Sequence, residues 1–189
     1  MPKIELPQAT LFHYMGRSMP EPELELLLES AKAEIDEPVD AAGSMKIELN
    51  DTNRPDLWST AGLGRHLRTY LGGPVPDYPF FSRPGTSLDA GARRVVVDAA
   101  LGDYRPYIAA FAVSGKPIDD PSLTDLIQSQ EKLCTNYGRR RKSIAMGVNR
   151  TALMTVPVHY VAADPDATRF VPLGMAEELS LRQIIERHP

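Results

Sequence analysis

Between residues 23 and 35 the apolar positions Leu24, Leu27, Leu28, Ala31 and Ile35 recur at intervals of three and four, with Glu25, Glu29, Lys32 and Glu34 between them. That spacing predicts an amphipathic helix with an acidic outer face. Ser18, Pro20 and Pro22 suit its start, and Pro38 stops it. Lys46-Ile47-Glu48-Leu49-Asn50 alternates as a short strand does, and the following DTNRPD, residues 51–56, is dense in turn formers. A second helix is predicted from about Ser59 to Leu71, with Leu63, Leu67 and Leu71 on one face and Gly72-Gly73-Pro74 as its end.

From residue 74 to 91 prolines and glycines replace aliphatic residues, which reads as a connecting segment, although Tyr78, Phe80 and Phe81 are rings that pack against something. Past Gly91 the pattern turns β-rich, with strands expected at Arg94–Asp98, Ile108–Val113, Ser143–Val148 and Val156–Val161. Between the second and third, Leu123, Leu126, Ile127, Gln130 and Leu133 form a helical stripe that Asp120 or Ser122 can cap, with Gly138 just past its end. Ser180-Leu181-Arg182-Gln183 is a capping-box pattern opening a last helix to His188. The predicted fold is α+β: a small helical and mixed unit over 1–73, a connecting segment over 74–91, and a β-rich mixed unit over 92–189.

Composition narrows the function classes. The 189 residues are 42% hydrophobic and 24% charged, enough for a real core. No apolar run approaches the roughly 20 residues that cross a bilayer, and the polar, proline-containing N-terminus does not read as an export signal, so a cytoplasmic location is expected. With a net charge of −4 the whole molecule does not attract phosphate, so any nucleic-acid contact must come from a local patch. One such patch is dense: Arg139, Arg140, Arg141 and Lys142 are candidates for contact with a tRNA backbone. In an extended segment at most two of the four point the same way, and a solvated edge is the equal alternative.

Other motifs have ordinary readings beside the functional one. Gln130 on the helix before the basic cluster is a candidate pocket-lining residue, able to recognise a substrate hydroxyl or amine, with surface hydrogen bonding as its default. Asn53 and Arg54 can donate to phosphate, but Arg54 can equally pair with Asp51 or Asp56 to lock the entry to the second helix. Cys134 lacks any activating constellation with His159 or His188 and reads as a small packing residue. Gly62-Leu63-Gly64 reads as close helix packing, and Trp58 as a core anchor. No metal-ligand spacing and no catalytic residue is assigned.

Four ordered blocks carry a resemblance. Lys46 to Leu71 (KIELNDTNRPDLWSTAGLGRHLRTYL), Arg105 to Ala110 (RPYIAA), Leu126 to Gly147 (LIQSQEKLCTNYGRRRKSIAMG), and Ala163 to Arg182 with its FVPLG centre resemble the N-terminal part of phenylalanyl-tRNA synthetase β subunits of the archaeal and eukaryotic type. Departures from the family's usual pattern are Cys134 for histidine, Ser129 for leucine and Gly64 for alanine. The resemblance implies a B1-like first domain and the first part of a B3/B4-like editing domain, which in this family hydrolyses tRNA mischarged with tyrosine. It also implies an α2β2 assembly with the α subunit and the remainder of the β subunit, and contact with tRNA(Phe). ATP and magnesium would belong to the α subunit, so no cofactor is expected on this chain. Aminoacylation by this chain alone is not expected; a free-standing editing hydrolase and a nucleic-acid-binding adaptor are the alternatives.

Overall fold

The computed structural model describes residues 2–50, 53–78, 93–115 and 117–187. Phe80, Phe81 and Gly91 of the connecting segment, Asp51 as a partner for Arg54, and His188 as the end of the last helix lie outside them. The chain divides into two compact units, one formed by residues 1–86 with 114–148, the other by 87–113 with 149–189.

Regular structure in the first unit begins before the first element that the sequence predicts. Strand β1 (Lys3–Pro7) and helix α1 (Gln8–Met15) precede helix α2 (Glu21–Leu28), strands β2 (Ala33–Glu37) and β3 (Ser44–Leu49), and helix α3 (Thr60–Tyr70). The strands form an antiparallel sheet in the order β1-β3-β2, with Ile4 and Ile35 both opposite Ile47. Alternation sorts its faces: Ile4, Leu6, Ala33, Met45, Ile47 and Leu49 are buried, whereas Lys3, Glu5 and Glu48 sit on the other parity. On that charged face Lys3 bridges Asp36 (2.5 Å) and Glu48 (3.1 Å). The helices cover the apolar face with Leu11, Met15, Leu24, Leu28, Leu63 and Leu67. Trp58 is buried among them as expected.

The helix expected over 23–35 is corrected. α2 ends at Leu28, a short turn follows over Glu29–Ala31, and Lys32 takes a left-handed conformation at φ 51° that no helix continues through. The residues beyond it, AEIDE, alternate with period two and are drawn into the sheet. α1 and α3 pack tightly because Gly64 faces Tyr14: a Cβ at Gly64 would stand 2.5 Å from the Cβ of Tyr14. Ser59 caps α3 by accepting from the Gly62 N–H at 3.0 Å.

Helix α4 (Asp120–Lys132) groups with this first unit, whereas the sequence reading placed it in the 92–189 unit. Its cap is Asp119, which accepts from Ser122 N–H at 3.0 Å, in place of the expected Asp120 or Ser122. The attachment is polar. Asp125 accepts from both the N–H and the hydroxyl of Thr60 (3.0 and 2.7 Å) at the start of α3. Gln128 completes the outer edge of β1: its amide oxygen accepts from Glu5 N–H and its nitrogen donates to Glu5 C=O, both at 2.7 Å. A side chain thereby pairs an edge that would otherwise present an unpaired donor and acceptor.

The second unit holds a parallel pair, β4 (Val95–Val97) with β5 (Val158–Tyr160), an antiparallel pair, β6 (Arg169–Phe170) with β7 (Leu179–Ser180), and helix α5 (Leu181–Arg187). The capping box is formed in both directions, Ser180 N–H to the Gln183 amide oxygen (3.0 Å) and Gln183 N–H to Ser180 Oγ (3.3 Å). Two expected strands are absent. Ile108–Val113 has no ladder partner among the described residues and stays open to solvent, with Phe111 89% exposed. Ser143–Val148 folds back on the turn before it, and Met146 N–H donates to Cys134 Sγ (3.2 Å) where a strand would meet a carbonyl.

Candidate nucleic-acid interface

The basic cluster is set by the way α4 ends. After Lys132 the helix widens over Leu133–Tyr137, and Cys134 is fully buried. Gly138 is forced by space, because a Cβ there would come within 2.5 Å of the Ile144 carbonyl oxygen. The backbone then closes on itself through Arg140 N–H to Thr135 C=O and Arg141 N–H to Cys134 C=O, both 2.8 Å, and Ser143 N–H to Gly138 C=O, 2.9 Å.

Arg139, Arg140 and Arg141 occupy this closure at φ 51°, 56° and 64°, three successive left-handed residues without a glycine. Such a run costs on the order of 1–2 kcal/mol per residue and persists only where the surroundings impose it. The extended geometry expected from the sequence is therefore replaced by a tight left-handed turn. Arg141 folds back onto Glu131. Arg139, Arg140 and Lys142 are exposed, and no ion pair holds any of them among the described residues. Gln130 is half-buried on α4 and lines neither of the clefts described next. Gln128, two residues earlier on the same helix, pairs its amide with the backbone of Glu5 in β1, a partner that the sequence does not point to.

A cleft of about 280 Å³ lies against α1 and α3, lined by Tyr14, Arg65, Arg68, Thr69 and the strip Pro74 to Pro76. Arg65 donates to the Tyr78 hydroxyl at 2.8 Å and stands 6.0 Å over that ring, with Asp56 3.9 Å away. Asp56 is committed to Arg54, which binds it through two nitrogens at 3.0 and 2.8 Å. That contact, helped by the Arg65 charge, holds the Asp56 carboxyl below the usual carboxylate range. The Arg54 pairing read from the sequence is thus made with Asp56. A second hollow, about 560 Å³, is acidic, with Glu25, Glu29 and Glu34 around exposed Leu26. Among the described residues no group of three His, Cys, Asp or Glu is placed to hold a metal, and no helix is long and apolar enough to cross a membrane.

No family model matches the sequence. Over all 189 residues the chain is 46% identical to the phenylalanine–tRNA ligase β subunit of Borrelia recurrentis and 44% identical to that of Borreliella burgdorferi, spanning 33% of each relative. A crystal structure of an N-terminal fragment of the phenylalanyl-tRNA synthetase β subunit from Pyrococcus horikoshii matches 99% of the chain, and 52% of its own, with a TM-score of 0.84 at 35% identity. This chain belongs to the phenylalanine–tRNA ligase β-subunit family. It corresponds to the N-terminal part of that subunit and has the family's α+β architecture. The three positions that the sequence reading sets apart each have a local role in the structure. Cys134 fills a buried position, Ser129 Oγ donates to Asp125 C=O at 2.7 Å inside α4, and Gly64 admits Tyr14.

Proposed function

We propose that this chain serves the charging of tRNA(Phe) and its proofreading as the N-terminal part of a β subunit of the archaeal and eukaryotic type, without turning over substrate alone. The observation that carries this reading is the match along the whole chain to relatives of which it spans one third. The unit of residues 87–113 and 149–189 forms the opening portion of a B3/B4-like editing domain, and the N-terminal unit is B1-like. Further residues of the subunit cover the apolar positions left open at Tyr107 (93% exposed) and Phe111. The partners are the catalytic α subunit, in an α2β2 assembly in the cytoplasm, and tRNA(Phe). ATP and magnesium act in the α subunit. Arg139, Arg140 and Lys142 contact the tRNA backbone from the left-handed turn, while Arg141 holds the turn through Glu131.

The test is deacylation of Tyr-tRNA(Phe) by the purified chain, with Phe-tRNA(Phe) as control and folding verified. No hydrolysis above buffer is expected; selective release of tyrosine would replace this reading with a self-contained editing hydrolase. In parallel, reversing the charges of Arg139, Arg140 and Lys142 lowers tRNA(Phe) affinity and its salt dependence, while equal loss on generic duplex DNA points to an adaptor role.

A further inference from the structure

We propose that the cleft between α1 and α3 is a nucleotide-binding site, taking one phosphate on Arg65 and Arg68 and one flat base against Tyr14 and the Pro74–Pro76 strip. Charge is the first argument. The molecule carries a net −4, yet among the described residues this cleft is lined by two guanidinium groups and no carboxylate. Asp56, 3.9 Å from Arg65, is already bound in two-pronged fashion by Arg54, so little of its charge is left to neutralise Arg65.

Placement is the second argument. Arg65 and Arg68 are three residues apart on α3, hence on one face, and planar guanidinium groups suit phosphate oxygens. Arg65 is steadied by Tyr78, a neutral partner that leaves its charge intact. Arg68 is exposed, finds no partner among the described residues, and lies with Nε 3.9 Å from the Cβ position of Gly16, over the C-terminal end of α1. The carbonyls there favour a cation and hold the guanidinium at the mouth of the cleft. Thr69 adds a hydroxyl to the same lining.

The rest of the wall is apolar. Tyr14 gives an aromatic ring and the Pro74–Pro76 strip gives two residues without N–H groups, a surface on which a base stacks without losing hydrogen bonds. At about 280 Å³ the cleft accommodates a single nucleotide unit and little more. Two sources share this chemistry, a free mononucleotide and one residue of a single-stranded RNA. The site is separate from the Arg139–Lys142 turn and does not rest on the function proposed above.

The experiment titrates the 15N-labelled chain with adenosine 5′-monophosphate, adenosine and a short oligoadenylate. The amides of Arg65, Arg68, Thr69 and Val75 are expected to shift with both phosphate-bearing probes. Comparable affinities for the two identify a free nucleotide as the source; tighter binding of the oligomer identifies a strand. Arg68→Glu, at an exposed position that leaves the spectrum of the fold unchanged, weakens binding at least tenfold. It also lowers the salt slope of oligomer binding by about 0.7, the share of one phosphate contact on a single strand. Adenosine binding as well as its monophosphate, unchanged affinity of Arg68→Glu, or shifts confined to other surfaces would each overturn the proposal.

Discussion

The two units of this chain contain similar secondary structure and opposite interiors. In the first, a three-stranded sheet and helices α1, α2 and α3 close over one cluster from Ile4 to Leu67, whose members are almost entirely withdrawn from water. The second has two strand pairs and a capped helix, but Leu179 is its only large hydrophobic side chain buried to that degree among the described residues, and Tyr104, Tyr107, Phe111 and Leu173 face solvent. Hydrogen-bonded pairs form wherever local geometry permits, whereas a core needs facing layers from the same chain. The first unit supplies those layers itself. The second calls for apolar surface from elsewhere, which accords with relatives three times as long.

The largest expected contrast comes from truncating one apolar side chain in each unit. Leu63→Ala, at a fully buried position, costs about 3 kcal/mol by denaturant unfolding. Phe111→Ser changes stability by less than about 0.5 kcal/mol. Equal losses would mean that Phe111 is packed in solution and that the contrast between the units fails. Next in size is Gly62→Ala, which drives a methyl group into the Asp56 carbonyl; it costs about 2–3 kcal/mol, as overpacking does, and a neutral result would show that the entry to α3 can move aside.

Asp125→Ala should cost about 1–2 kcal/mol, because it strips two hydrogen bonds from the start of α3 and leaves α4 tied to β1 through Gln128. If exchange protection of α4 survives in Asp125→Ala combined with Gln128→Ala, α4 is held by something other than these polar contacts. The smallest effect is in pH. Asp56, beside Arg54, and Asp119, Asp164 and Asp166, bonded to Ser122, to the backbone N–H groups of Ala167 and Asp166, and to Arg182 respectively, all have lowered pKa values. Each is depressed in the folded state, so its contribution is present above the ordinary value near 3.8 and lost as pH falls through the folded value. Stability is therefore flat from neutrality to about pH 5 and declines below pH 4; Arg54→Met reduces the decline by removing the Asp56 share.

What the sequence made legible follows the same division. The β3 alternation, the α3 stripe with its glycines, the buried Trp58 and the Ser180–Gln183 capping box appear in the structure because each is decided by local spacing and chemistry. β1 and α1 were missed because each is short and offers only two buried anchors, Ile4 with Leu6 and Leu11 with Met15, too few for a period to emerge. The helix expected through Ile35 failed where Lys32 reverses the backbone, and a four-residue apolar interval fits a turn followed by a strand as well as it fits a helix. Ile108–Val113 has strand composition, but composition cannot supply a partner.

The basic cluster was visible as a word and its geometry was not. Three successive arginines at positive φ are imposed by the closure of the backbone around Cys134 and Gly138, a tertiary constraint with no sequence period. The partner of Gln128 was not legible for the same reason: the edge it pairs with, at Glu5, is 123 residues away in the chain. For the Arg65 and Arg68 cleft, the signal was available in the three-residue spacing on α3, but only the approach of Tyr14 and the Pro74–Pro76 strip turns two surface cations into a lined hollow.

Amide hydrogen exchange on the isolated chain tests the contrast between the units most directly. The account predicts slow exchange throughout β1, β3, α1 and α3, and exchange near the unprotected rate for residues 106–113, with retardation among the described residues of the second unit confined to the β4–β5 and β6–β7 pairs and α5. Uniform protection across both units, including Tyr107 to Val113, would contradict it and show that the second unit closes a core of its own.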